Sequence, residues 1–290
     1  MLNTIQDNAT YKLFLFLSIS CNAFLLPVLA TAQEAEREPI VWEVSFEGNE
    51  NYRDMVLREI IATDSPSFFQ KLFRRTGDFA LNEMEVRRDR IRIVRYYERR
   101  GYPNVEVGYE IKDRQKEWQK IVVFQIREGS PLRIRTSNIE IDAPPDVADE
   151  IRSSREFERA VEQHTFQVGN RYQTLRRPDV EGRFLNLLEE LGFAWPEVEI
   201  EAVVDSVASR ADITIKTKPN TKTYFSDIEI EGEISVPERV LIRETDIKQG
   251  ELYRRSTLQD AQRQVFNHHL FRFATITIPD QPQDSTLNVL

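Results

Sequence analysis

Hydrophobic and polar positions along this chain change period in a fixed order, and the order recurs. From Ile40 to Phe46 the apolar positions alternate, so Ile40, Trp42, Val44 and Phe46 share one face of a strand, which Glu47-Gly48-Asn49 ends. A short amphipathic helix is expected from Asp54 to Ile61 and a polar, aromatic loop from Ser65 to Asp78. A longer helix is expected from Asn82 to Arg100, with Met84, Ile91, Val94 and Tyr97 at helical spacing and Gly101 as its stop. Period two then returns: Val105, Val107, Tyr109 and Ile111 alternate with Glu106, Gly108, Glu110 and Lys112, and a turn leads into Ile121–Ile126.

The same succession follows twice more. A strand over Leu132–Ile141 precedes a helix around Asp146–His164 and a second over Pro178–Leu191, whose apolar stripe is Val180, Phe184, Leu187, Leu188 and Leu191. Gly192-Phe193 repeats Gly101-Tyr102, 192 − 101 = 91 positions on, before strands at Val198–Val204 and Ala211–Lys218. The third copy has a strand over Tyr224–Glu231 ending at Gly232, helices over Pro237–Thr245 and Ser256–Leu270, and strands at Phe273–Ile278 and Thr286–Leu290. The expected fold class is α+β, a tandem repeat of three modules. Each is ordered strand-helix-helix-strand-strand, a three-stranded mixed sheet with two helices covering one face. The expected divisions are 1–32, 39–129, 130–219 and 220–290, the last cut short in its final strand.

Residues 1–32 stand apart. Lys12 precedes an apolar run from Leu13 to Ala30, and Ala30-Thr31-Ala32 has the small-residue pattern of a signal-peptidase site. The segment reads as a secretory signal, with an uncleaved anchor as the alternative. Cys21, the single cysteine, lies inside it, either lipidated or simply a small apolar residue. The remainder then enters an envelope compartment with no disulfide to staple it. Net charge is -9, with 48 acidic and 39 basic residues, which argues against nucleic-acid binding.

Several phrases resemble POTRA (polypeptide-transport-associated) modules. They are Val44-Ser45-Phe46-Glu47-Gly48-Asn49, Tyr96-Tyr97-Glu98-Arg99-Arg100-Gly101-Tyr102, Val123-Phe124-Gln125-Ile126-Arg127-Glu128-Gly129 and, in the third copy, Gly250-Glu251-Leu252-Tyr253 with Leu270-Phe271. The third copy is similar to the module preceding the barrel in BamA- and TamA-type assembly factors, and three modules fit the TamA-like branch better than the five-module BamA branch. The resemblance implies a periplasmic arm on the outer membrane of a Gram-negative-type bacterium. It implies a membrane β-barrel beyond Leu290, a role in protein assembly or translocation, and unfolded outer-membrane or secreted proteins and envelope accessory proteins as partners. The alternative is a stand-alone envelope scaffold with no barrel.

Two surfaces are candidates for contact. The strand carrying Val105, Val107, Gly108, Tyr109 and Ile111 is expected at a sheet edge, where an extended client can add a strand. Gly108 there marks either close backbone approach or a bulge. Arg88, Arg92, Arg95 and Arg99, with Arg87, Arg90, Arg100, Lys71, Arg74 and Arg75 nearby, form a basic face that either meets anionic headgroups or pairs with its own glutamates and aspartates. No enzymatic constellation is apparent. His164, His268 and His269 lack partners at metal-ligand spacing, and there is no phosphate loop or nucleophile motif, so no catalytic residue, metal or cofactor is expected.

Overall fold

The computed structural model describes residues 38–73, 78–230, 237–267, 275–279 and 286–289. The signal with Cys21, together with Arg74, Arg75, Glu231-Gly232, His268, His269, Leu270-Phe271 and Leu290, lies outside them. The chain divides into two compact bodies: residues up to Arg95 with Glu106–Glu128, and Tyr96–Val105 with everything from Gly129 onward.

In the first body the elements are β1 (Ile40–Glu47), α1 (Asp54–Ile60), α2 (Phe68–Leu72), α3 (Glu83–Arg99, which runs on into the second body), β2 (Glu106–Asp113) and β3 (Gln119–Arg127). The sheet order is β1-β3-β2, with β1 parallel and β2 antiparallel to β3. Val44, Phe46, Leu57, Val86, Ile93, Val122, Phe124 and Ile126 are buried in it. The Glu47-Gly48-Asn49 turn is tied to the far end of β3, because the buried Glu128 carboxylate accepts from the Asn51 backbone N–H at 2.9 Å and from its side-chain amide.

Two expectations are corrected here. The Ser65–Asp78 segment contains α2, started by a capping box in which the Ser67 hydroxyl accepts from Gln70 N–H and the Gln70 side chain accepts from Ser67 N–H. On α3 the buried positions are Val86, Asp89, Ile93 and Tyr97, whereas Met84 and Ile91 face solvent. Asp89 interrupts the true stripe with a charge, and its burial depends on partners distant in sequence. Its carboxylate accepts the Ala62 and Thr63 backbone N–H groups, each at 2.8 Å, and pairs with Arg92.

The second body holds β4 (Arg133–Ile141), α4 (Pro145–Ser153), α5 (Arg155–Gln163), α6 (Arg177–Glu190), β5 (Glu197–Asp205) and β6 (Arg210–Lys218), followed by β7 (Tyr224–Ile228), α7 (Glu238–Glu244), α8 (Arg255–Asn267) and β8 (Thr286–Val289). The order β4-β6-β5 repeats the first sheet. Its core joins Ile134, Ile200, Ile213 and Ile215 of the strands to Ile151, Ala160, Val180, Phe184 and Leu188 of the helices. The helix expected over Asp146–His164 is two helices. Ser154 has ψ 147 between them, and its hydroxyl accepts Phe157 N–H to cap the second. In the third module β7 and β8 pair in parallel. The second strand expected at Phe273–Ile278 lies partly outside the described residues, and the described part, 275–278, joins no ladder.

The junction glycines act alike. Gly101 and Gly192 have φ of 88° and 105°. Their carbonyls accept Leu132 N–H at 2.8 Å and Thr223 N–H at 2.9 Å, and the acceptors and donors are both offset by 91 residues (192 − 101 and 223 − 132). The repeat is therefore one of hydrogen bonds as well as residue types.

His164, buried at 4% exposure, is a core residue: its Nδ1 accepts Phe166 N–H at 3.2 Å and its ring lies 5.8 Å from that of Phe184. Burial, with Arg183 adding to it, holds its pKa below the ordinary 6.5. Above that value both folded and unfolded imidazoles are neutral. As pH falls below it the unfolded state takes the proton first, so stability is lost on the acid side. Resistance of the second body to urea is expected to fall as pH drops from 7 toward 5, and His164→Asn to flatten that dependence.

Candidate strand-addition edge

The first module exposes one strand edge more fully than the other. The outer side of β1 is met by the chain returning toward α3: Val41 N–H donates to Phe79 C=O and Leu81 N–H to Pro39 C=O, both at 2.8 Å. Farther along, the Arg58 guanidinium donates to the Val44 carbonyl. β2 lies at the opposite edge of the sheet, and among the described residues no segment pairs with its outer side.

The second and third modules use the same device. Ile134 N–H donates to Asn170 C=O, and Tyr172 N–H to Leu132 C=O, so residues 169–172 cover the start of β4 and leave β5 at the open edge. Around β7, Phe225 N–H donates to Glu251 C=O and Tyr253 N–H to Thr223 C=O. Sequence reasoning missed this return segment. Its signal was present in Gly250-Glu251-Leu252-Tyr253 and its counterpart Gly169-Asn170-Arg171-Tyr172, where Gly250 and Gly169 have φ of 84° and 86°.

Along β2, Val107 is buried, Tyr109 and Ile111 are half-buried, and Glu106, Gly108, Glu110 and Lys112 are exposed. Val105 is buried just ahead of the strand. Arg87 Nε donates to the Tyr109 hydroxyl at 3.2 Å, steadying the strand from α3. Gly108 sits in unbroken register opposite Gln125, so it marks no bulge. A Cβ there would make only ordinary contact, 3.6 Å from the Gln125 side chain, so packing does not require glycine. The charges on the solvent face pair across it, Arg127 with Glu106 at 2.6 Å and Lys112 with Glu110 at 3.1 Å. Such pairs blunt unwanted edge association while leaving the backbone groups open.

The basic face of α3 resolves into two parts. Arg88 pairs with Glu85, and Arg92 with Glu85 and Asp89, whereas Arg95 and Arg99 are exposed. Among the described residues no group of three or more His, Cys, Asp or Glu side chains is placed to hold a metal ion, and no helix is long and apolar enough to cross a membrane.

Residues 39–129 and 223–289 match the POTRA family, described as surface antigen variable number repeat. The chain is 25% identical over 245 residues to an outer membrane protein assembly factor BamA from Neorickettsia risticii, covering 84% of this chain and 31% of that protein. It is 22% identical over 226 residues to BamA of Neisseria meningitidis, covering 78% of this chain and 27% of the relative. The chain thus spans under a third of these curated relatives. The crystal structure of Haemophilus influenzae BamA POTRA3-5 shares the fold at TM-score 0.51 and 16% identity, with 87% of this chain and 94% of that one aligned.

Proposed function

Because this chain belongs to the POTRA family, we propose that it is the periplasmic arm of an outer-membrane protein assembly factor, binding unfolded client chains by strand addition at β2. The observation that carries the edge assignment is the return segment, which occupies the start of β1 and leaves β2 unpaired among the described residues. An extended client laid along β2 gains main-chain hydrogen bonds whatever its side chains, which suits a factor that handles many sequences. Gly108 favours this reading, since the sheet itself has no need of it. The β5 edge offers a second place of the same kind, its Glu197 and Glu201 held by Lys218 and Lys216. On this reading the chain's work is binding without catalysis, the clients are outer-membrane or secreted proteins, and the arm serves a membrane β-barrel.

Proline tests the edge directly. In an antiparallel edge strand successive N–H groups point alternately toward the neighbour and away from it. Proline at one of the adjacent positions Tyr109 and Glu110 therefore breaks the β2–β3 ladder, while at the other it removes only an outward donor. The variant of this pair that keeps the wild-type melting profile is expected to lose most crosslinking between an unfolded outer-membrane protein and a photoreactive residue at position 106. Full crosslinking in that folded variant would remove β2 from the proposal.

A further inference from the structure

The helix α2 presents an apolar face that the first body leaves uncovered. Phe68, Phe69, Leu72 and Phe73 are 73%, 68%, 61% and 68% exposed. Scattered exposed hydrophobics are ordinary, but four large ones within six residues make a contiguous patch of the kind that marks an interaction site. The segment is firmly held. The Ser67–Gln70 capping box starts the helix, and Lys71 reaches back so that its ammonium lies 5.4 Å from the Trp42 ring centroid. The Phe68 and Phe69 rings meet edge to face at 5.7 Å and form one surface.

Cations ring the same neighbourhood. Arg114 lies 5.4 Å from the Trp42 centroid, Trp42 meets Trp118 edge-on at 6.1 Å, and Lys116 lies 5.8 Å from the Trp118 ring. Glu43 acts on Lys71 from β1, but from Ser65 to Phe73 there is no acidic residue, in a chain whose net charge is -9. Exposed phenylalanines beside half-buried tryptophans and a set of lysine and arginine side chains are the composition of a segment that sits at the surface of an anionic bilayer.

We propose that this face of the first body seats on an anionic membrane surface, with Phe68, Phe69, Leu72 and Phe73 entering the boundary between headgroups and acyl chains and Lys71, Arg114 and Lys116 meeting lipid phosphates. The charge complementarity favours a bilayer over a protein client, since capture of an apolar client segment would need no cations. One short segment of this kind gives weak, reversible attachment and acts only beside a second anchor. It would therefore set where the arm rests without tethering it. The inference is independent of strand addition at β2.

Tryptophan fluorescence provides the readout: residues 1–37 contain no tryptophan, Trp42 adjoins the patch, and every protein compared carries Trp195→Phe in the second body. The full chain is mixed with vesicles of brominated phosphatidylcholine, with or without phosphatidylglycerol, and quenching of tryptophan fluorescence is followed. Quenching is expected with the anionic vesicles and to fade at high salt. Phe68→Ser with Phe69→Ser is expected to weaken the apparent partitioning by about tenfold or more. A triple Arg88→Gln, Arg95→Gln, Arg99→Gln variant, which leaves α2 alone, is expected to keep it. Absence of quenching in the chain with α2 unaltered would overturn the proposal and give the patch to a protein partner. Equal quenching with and without phosphatidylglycerol, or loss in the arginine variant but not in the phenylalanine variant, would also overturn it.

Discussion

Replacing Asp89 by alanine is expected to cost the first body about 3–5 kcal/mol, the range found when one partner of a buried charge network is removed. Asp89 is fully buried, and its two oxygens accept the backbone N–H groups of Ala62 and Thr63 at 2.8 Å while pairing with Arg92. Alanine would leave two backbone donors without their acceptor, take from the Arg92 guanidinium one of its two carboxylate partners, and open a small void. The connection from α1 toward α2 would lose its tie to α3. Asp89→Asn keeps the shape but turns an N–H₂ toward groups that are themselves donors, so most of the loss should remain. Glu85→Ala, which removes a half-buried partner of Arg88 and Arg92 that receives no backbone N–H, should cost much less. Hydrogen exchange read on peptides from β1 and β3, with peptides from β4 and β6 as internal standard, distinguishes these outcomes. If Asp89→Ala matched Glu85→Ala, the buried network would have no special weight.

Gly48→Ala should be the next most damaging small change, at about 3 kcal/mol. Gly48 has φ 79°, a region costly for residues with a Cβ, and a Cβ at that position would overlap the Ile126 carbonyl oxygen of β3. The backbone oxygen cannot move aside without breaking the ladder, so strain and overlap add. Gly108→Ala is the matched comparison: no positive φ, only ordinary contact with Gln125 and a regular register predict a change within about 0.5 kcal/mol. Urea midpoints of the two variants measure the difference, and similar midpoints would mean that the Glu-Gly turn tolerates a side chain after all.

Period was a sound guide over most stretches where apolar residues met apolar residues. The alternation at Val107–Ile111 and Ala211–Lys218 lies in β2 and β6, that at Ile40–Phe46 lies in β1 with a register shift that buries Val41 and leaves Trp42 half-buried, and the stripe Val180, Phe184, Leu187 and Leu188 is the buried side of α6. It failed on α3, where the buried stripe contains an aspartate and the more hydrophobic-looking Met84 and Ile91 are outside. A pattern search scores Asp89 as a surface residue because nothing adjacent in sequence announces the two N–H donors that satisfy it. The break at Ser154 was hidden in a similar way. Ser153-Ser154 is compatible with helix, and only the capping of Phe157 N–H shows that a new helix starts there.

The candidate edge was partly legible. Alternation placed Val107, Tyr109 and Ile111 on one side of a half-buried strand, but alternation does not order strands within a sheet. That β3, the last strand of the first module, lies between β1 and β2 follows from long-range pairing.

Sequence alone determined the recurring α+β order and the positions of the turn glycines, because local period and φ preference act over a few residues and recur at a fixed offset. Tertiary structure alone decided which sheet edge is covered by residues 79–81, which polar side chain is buried, and that the phenylalanines of α2 point outward. Each of these depends on which atoms meet across tens of residues, where burial and hydrogen-bond satisfaction outweigh the propensities of the residues themselves.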